Sequence, residues 1–424
     1  MKKTILLTLC FGLFCQMAFA AEKTMTWPEC IKEASKNNPD LISARETINQ
    51  SRASKGITLS SVFPLLNASA SGAESKSKID SQKTTTSDSY SYGVSGSLLI
   101  FDGLKSSNNI KAADQNIIAA EESYSFTSAD IRFQLRTAFV NLLKAQQNKQ
   151  VTQEIAKIRE DELKLITLRY NAGLEHKGAL LNSEASMLQA KLDLEQAVRN
   201  FQLSQKQLNK AMGTKEFIPV LANEEMVVKE STRDTPDFKT FTANHPSVKE
   251  SLAKRNSADF SLRATRGSYY PQVSLQAGAN KDGSQWPPQD AGLSAGVTVS
   301  IPIFEGGLRK AQVSSADAVL KQAEAQLRSS ENTVSFSLAL QWEGFREAVE
   351  SVEVRKKTLE ADMERAKIAE AQYSTGFITY DNWTIIEDNL VQSKKSFLDA
   401  QANAMLAEAQ WINAKGVTLE YASQ

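Results

Sequence analysis

The stretch YSYGVSGSLLI, Tyr90 to Ile100, decides the fold class. Tyr90, Tyr92, Val94, Gly96, Leu98 and Ile100 alternate with Ser91, Gly93, Ser95 and Ser97, so a period of two puts apolar groups on one strand face and small polar groups on the other. The pattern returns in LSAGVTVSIPI, where Leu293, Ala295, Val297, Val299, Ile301 and Ile303 alternate with Ser294, Gly296, Thr298 and Ser300. Weaker partners precede each strand, from Pro64 to about Ala73 and from Pro271 to Lys281. The linkers, Glu74 to Asp88 and Asp282 to Asp290, are polar and turn-rich. Two strand hairpins are expected.

Strands of about ten residues with one apolar and one polar face are what a membrane barrel presents to lipid and to a water-filled lumen. A half-buried sheet in a soluble sandwich is the plainer account of either hairpin alone. Four strands cannot close a barrel in hydrocarbon, where an open edge leaves backbone groups unsatisfied. The membrane reading therefore requires oligomerisation, and dimer, trimer and tetramer all satisfy closure.

Working outward, the two hairpins belong to two copies of one plan. NNPDL (Asn37 to Leu41) meets NHPSV (Asn244 to Val248), and VFPLL (Val62 to Leu66) meets YYPQV (Tyr269 to Val273), both at an offset of 207. FDG (Phe101 to Gly103) meets FEG (Phe304 to Gly306), YNAG at Tyr170 meets YSTG at Tyr373, and KAMG at Lys210 meets NAKG at Asn413, all at 203. One change of four residues reconciles every landmark, which indicates internal duplication. The expected organisation is a leader over 1–20, a first repeat over 21–222 and a second over 223–424. In the first, a hairpin covers about 64–101, a long helix about 104–170, a tip 170–178 and a return helix to 213. In the second, a helix covers about 239–268, a hairpin about 271–304, a long helix about 307–373, a tip 373–381 and a return helix to 416.

Each long interval lacks proline and is rich in Ala, Gln, Glu, Lys and Leu, so each reads as one helix of about 65 residues, roughly 100 Å at ~1.5 Å per residue. Such helices need lateral partners. In the first return segment Leu181, Ala185, Leu188 and Leu192 form one heptad-like seam, and Leu194, Val198, Phe201, Gln205 and Leu208 a second, which allows contact on two sides. Gly173 and Gly376 sit where a long helix would end, as glycine does at a left-handed helix terminus.

Composition narrows the chemistry. Forty-nine basic and forty-nine acidic residues leave no net charge, which removes the simplest electrostatic case for nucleic acid. Lys2 and Lys3 precede the apolar run Ile5 to Phe14, and Ala18-Phe19-Ala20 supplies a cleavage site, so residues 1–20 read as a secretory signal peptide. Cys10 and Cys15 fall inside it, leaving Cys30 without an intrachain disulfide partner. Beyond the leader no apolar run reaches the ~20 residues of a spanning helix. His176 and His245 are in no metal-ligand cluster, and no phosphate-binding loop motif occurs. His245 in NHPSV reads as opening a helix, the run Glu160-Asp161-Glu162 as solvated surface, and the five tryptophans as forming no stacking platform. Trp286, beside Pro287 and Pro288, is expected near a membrane interface. No catalytic residue, metal site or cofactor is indicated, so no enzyme is read here.

These residues together make the sequence resemble the TolC family of outer-membrane efflux proteins. MTWPECIKEASKNNPDL, the duplicated hairpins, FDGLKSS and FEGGLRKA at strand-to-helix junctions, the YNAGL and YSTGF tips and the closing LNKAMG carry the likeness across the mature chain. The resemblance implies an α+β, mostly α fold: a long antiparallel α-helical barrel, or coiled-coil tunnel, joined to a transmembrane β-barrel to which each chain of a homotrimer gives four strands. It implies a passive exit duct in the outer membrane with a periplasmic helical extension, serving a tripartite efflux pump or a type I secretion system. Its implied partners are outer-membrane lipid, a periplasmic adaptor and an inner-membrane pump. Carried over by position, Gly173, Leu174, Gly376 and Phe377 are the adaptor-docking residues, and Phe101, Asp102, Gly103, Phe304, Glu305 and Gly306 are the junctions. The family's two gate aspartates fall on Asn382 and Ile385, with Asp381 one residue earlier and Glu387 and Asp388 as alternatives. The competing account is a periplasmic coiled-coil spacer or adaptor without a membrane barrel.

Overall fold

The computed structural model describes residues 23–79, 83–227 and 235–420. The leader read over 1–20 lies outside them. The chain is mostly helical with a smaller antiparallel sheet. Its elements in order are β1 (Lys23–Met25), α1 (Trp27–Asn37), α2 (Pro39–Ser60), β2 (Leu65–Ile79), β3 (Lys83–Phe101), α3 (Lys105–Asn171), α4 (Lys177–Met212), β4 (Val220–Ala222), α5 (Phe238–Asn244), α6 (Pro246–Gly267), β5 (Gln272–Gly283), β6 (Asp290–Ser300), α7 (Leu308–Ser374) and α8 (Tyr380–Ala414). α3 and α7 each run 67 residues without a break. No described helix is long and apolar enough to cross a membrane.

The chain forms two compact units. One holds the antiparallel sheet, in the order β2-β3-β5-β6, with α2, α5, α6 and adjoining lengths of α3, α7 and α8. Proline at the first turn starts α2 and α6, where a missing N–H costs nothing. Asn38 caps α2, accepting from the N–H groups of Asp40 and Leu41 at 3.0 and 3.2 Å. His245 does the same for α6 through Ser247 N–H at 3.2 Å.

The strand-to-helix junctions use left-handed backbone. Gly103 and Leu104 have φ of 70° and 66°, and Asp102 then caps α3 by accepting from Ser106 N–H at 2.8 Å. A Cβ on Gly103 would lie 2.3 Å from the Gly267 carbonyl oxygen, so glycine is required by close backbone approach as well. In the second junction Gly306 and Gly307 take the positive φ values, and Glu305 accepts from Arg309 Nε at 2.5 Å. β6 stops at Ser300, two residues before Pro302, which has no N–H to continue a ladder.

The other unit contains β1, α1, α4, β4 and the remaining stretches of α3, α7 and α8. β1 and β4 pair in parallel, a ladder that no sequence period announced. Gln146 holds β4 by donating to the Ala222 carbonyl at 3.1 Å and accepting its N–H at 2.8 Å. Arg136 forks onto Glu224 at 2.6 and 2.8 Å and lies over the Trp27 ring. Such a bidentate pair is stronger and more directional than a single ion contact. Cys30 is fully buried on α1, and burial pushes its thiol up to about 12, which leaves it unreactive.

Candidate functional site

Two features stand out: the paired helix tips and the sheet. α3 ends in a Schellman motif, with Gly173 at φ 72° donating to the Tyr170 carbonyl at 3.0 Å and Leu174 N–H reaching the Arg169 carbonyl at 2.8 Å. α7 ends in the same way. Gly376 at φ 80° donates to Tyr373 at 3.1 Å, and Phe377 N–H to Gln372 at 2.8 Å. A Cβ at either glycine would meet no atom within 4 Å, so backbone conformation rather than crowding selects glycine. The residue after each glycine projects into solvent, with Leu174 68% and Phe377 83% exposed.

Behind the turns the two tips differ. Tyr170 is exposed, whereas Tyr373 is only 2% exposed. Its ring stacks on Trp383 with centroids 4.5 Å apart and planes 9° from parallel, and Tyr380 meets both edge-on. The Arg169 guanidinium sits 4.7 Å from the Tyr373 ring centroid, while the phenol donates to Glu175 at 2.9 Å. Burial and the Glu175 carboxylate both raise the Tyr373 pKa, so it remains a protonated donor. Ile166, Ala179 and Ala369 complete the cluster, which joins all four helices of the two tips in one core. Sequence reasoning did not anticipate this internal Tyr373–Trp383 stack, which is buried and offers no open platform. The clue was available: an aromatic on each side of a helical turn, Tyr373 and Trp383, invites contact across it.

The gate candidates lie on the opposite side of this helix start. Asp381, Asn382 and Ile385 are exposed, whereas Trp383 between them is buried. Asp388 accepts from Arg159 at 2.5 Å. The acidic run on α3 also needs correction, because Glu162 is not solvated surface: its side chain is 12% exposed and pairs with the 8%-exposed Arg159 at 2.8 Å. Glu160 and Asp161 remain outside, as the 100° step of the helix dictates. Burial raises the Glu162 pKa, opposed by Arg159. Burial also raises that of Glu387.

In the sheet, pairing brings like residues into rows. Ala68, Val94, Ala279 and Leu293 are mutual partners, as are Leu66, Gly96, Ala277 and Ala295, and Leu98, Leu275 and Val297 form a third row. The intervening rows hold Asn67, Ser95, Gly278 and Ser294, or Ser97, Gln276 and Gly296. One face is therefore mainly apolar across all four strands, Lys281 in the Ala70–Tyr92–Lys281–Ala291 row being its charged exception, and the other is mostly small and polar, with Leu65 opposite Ser97. The apolar face is unburied, Leu293 being 90% exposed. It runs from the Phe101–Val273 pair to the Tyr90–Gly283 pair, ten residue steps along β5. At ~3.3 Å per residue and a tilt of about 40° that is a band of roughly 25 Å. Aromatic residues frame it. Trp286 packs edge-on against Tyr90 and Tyr92 at one end, and Tyr269, Tyr270 and Phe304 lie exposed near the other. A bulge at Ile100, between the Leu99 and Phe101 pairings, bends β3 at that second end.

Among the described residues, no group of His, Cys, Asp or Glu is placed to hold a metal. Comparison with known proteins gives a consistent result. A family model described as outer membrane efflux protein matches residues 30–214 and again 239–417. The outer membrane efflux protein BepC of Brucella suis is 21% identical over 405 residues, covering 94% of this chain and 86% of that one. The outer membrane protein OprJ of Pseudomonas aeruginosa is 23% identical, covering 95% and 85%. Among solved structures, the CmeC outer membrane channel of Campylobacter jejuni superposes with a TM-score of 0.82 at 18% identity over 92% of this chain and 85% of that one. The open-state MtrE channel of Neisseria gonorrhoeae gives 0.81 at 18%, over 94% and 90%. At such identities the structural likeness is one of fold.

Proposed function

This chain belongs to the outer membrane efflux protein family, and from that premise we propose how it builds its channel. It is an outer-membrane protein and an exit duct of an efflux system. In our reading, three copies join their four-stranded sheets into one twelve-stranded transmembrane barrel, with lipid against the apolar rows and water against the polar ones. The observation that carries this is the register. Four strands align every apolar row into one band of roughly bilayer thickness, framed by aromatic residues at both ends. Within one chain the outer strands β2 and β6 pair on one side only, and an open edge is not tolerated in hydrocarbon. Joining β2 of one copy to β6 of the next removes every edge.

The rest of the proposal concerns the helices. They would enclose a periplasmic tunnel, and the chain would be an internally duplicated unit, for which the twofold family match and the equal lengths of α3 and α7 are the support. A periplasmic adaptor would dock at the tips, where Gly173 and Gly376 set the turns and Leu174 and Phe377 offer exposed apolar side chains. An inner-membrane pump would supply the energy, leaving transport through this component passive. Asp381, Asn382 and Ile385 would line the periplasmic constriction, one acidic position rather than a double acidic ring. The test is purified protein in a planar bilayer: discrete ion-conducting steps are expected. Folded oligomers that never conduct, and that stay soluble without detergent, would refute the barrel and favour the spacer.

A further inference from the structure

Within the unit that carries the tips, α3, α7 and α8 enclose a half-open cavity of about 490 Å³ between Ile158 and Lys394. Its volume falls in the range of small-molecule sites. Leu165, Met363 and the edge of Trp383 make an apolar wall. Four carboxylates line it, Asp161, Glu162, Glu370 and Glu387, against the two ammonium groups of Lys367 and Lys394. Two of the carboxylates are not surface groups. Glu162 presents Oε2 to Arg159, but its Oε1 is buried with no hydrogen-bond partner. Glu387 faces the same Arg159, which already bonds Asp388 at 2.5 Å. One guanidinium is shared by three carboxylates, with the Lys394 ammonium also acting on Glu387, and the buried Glu162 Oε1 without a donor costs free energy until a cation or donor reaches it.

We propose that this cavity is a binding site for an organic monocation with an aromatic or alkyl body, its charge set between Glu162 and Glu387 and its body against Leu165, Met363 and Trp383. A bare metal ion is a poor occupant, since no described cluster of carboxylates has the geometry to ligate one. An anion is excluded by the excess of carboxylates. Burial holds both glutamates above their ordinary pKa, which a bound cation would reverse. The site goes beyond the duct reading, since it needs neither closure of the sheets nor adaptor docking.

The experiment uses the full detergent-solubilised protein and calorimetric titration with benzyltrimethylammonium, with benzenesulfonate as an aromatic anion of similar size. Saturable binding of the cation alone is expected, and Glu387→Gln should weaken it at least about tenfold while leaving the oligomeric state unchanged. Glu162→Gln should act in the same direction. Should it fail to fold, loss of binding by the native protein on acidification toward pH ~4, where the carboxylates take up protons, supplies the second measurement. Equal binding of cation and sulfonate, unchanged affinity in Glu387→Gln, or no saturable binding by oligomers that conduct normally would each overturn the proposal. The last result would leave the channel reading standing, so the two fail separately.

Discussion

The two faces of the sheet can be told apart by placing the same charge on each. Ala277 lies on β5 midway along the apolar band, paired with Gly96 and Ala295. These small neighbours leave room for a long side chain, so a penalty for arginine there measures the medium rather than a clash. Gln276, one residue earlier, points to the opposite face and pairs with Ser97 and Gly296. If the apolar rows face lipid, Ala277→Arg puts a guanidinium near the bilayer midplane and costs about 2–4 kcal/mol per chain. Gln276→Arg faces water and costs under about 1 kcal/mol. In a trimer each change is made three times, so Ala277→Arg amounts to about 6–12 kcal/mol per assembly and should deplete folded oligomer. The assay is refolding into lipid vesicles followed by denaturant titration, read by far-UV circular dichroism and by the heat-resistant oligomer band. Equal stability of the two variants, or a larger loss at Gln276, would refute the assignment of faces and with it the barrel.

Three further substitutions test local arguments. Leu104 is the one non-glycine residue with positive φ among the described residues, where the second junction uses Gly307; Leu104→Gly should stabilise by about 0.5–1 kcal/mol in thermal unfolding. At the open but left-handed Gly376, Asn should be tolerated within about 1 kcal/mol and Val should cost about 2 or more, and similar losses for both would mean crowding rather than φ is limiting. Tyr373→Phe removes the bond to Glu175 and leaves a carboxylate short of a donor, so a loss of about 1–2 kcal/mol is expected, with the aromatic stack preserved in near-UV circular dichroism. For pH, Glu387 is held above the ordinary carboxylate value of 4.5, chiefly by burial. The folded state therefore keeps that proton longer than the unfolded state, and the contribution is full below pH 4.5 and lost as pH rises through the folded value. Glu387→Gln should flatten the stability profile above about pH 4.5, as measured by denaturant midpoints; an unchanged slope would place the shift elsewhere.

What the sequence made legible follows from which forces have a period. A two-faced strand must alternate, and in YSYGVSGSLLI the alternation is strict enough to identify the sheet and its two chemistries before any pairing is known. A helix terminus that needs φ above zero selects glycine, so the turns at Gly173 and Gly376 were visible as well. The parallel ladder of β1 with β4 was not, because three residues on each strand carry no period and are held by Gln146 from another element. The cavity was equally hidden. Glu162 and Glu387 sit in acidic helix faces that look solvated in one dimension, and only the meeting of α3 with α8 buries them around one arginine.

The sheet and the tip core are held in different ways. The rows of the sheet are constrained by the solvent on each side, a demand any alternating sequence meets, so the fold persists at 18% identity. The tip core is constrained by particular contacts instead: one stacked Tyr373–Trp383 pair, one arginine over it and one glutamate on its hydroxyl. Changing any one of these leaves the other three groups partly unsatisfied, so their energies are coupled rather than additive. A double-mutant cycle between Tyr373→Phe and Glu175→Gln should show a coupling of about 1 kcal/mol in unfolding free energy. Additive losses would mean that the hydroxyl bond is incidental, and that stacking on Trp383 alone fixes the tip.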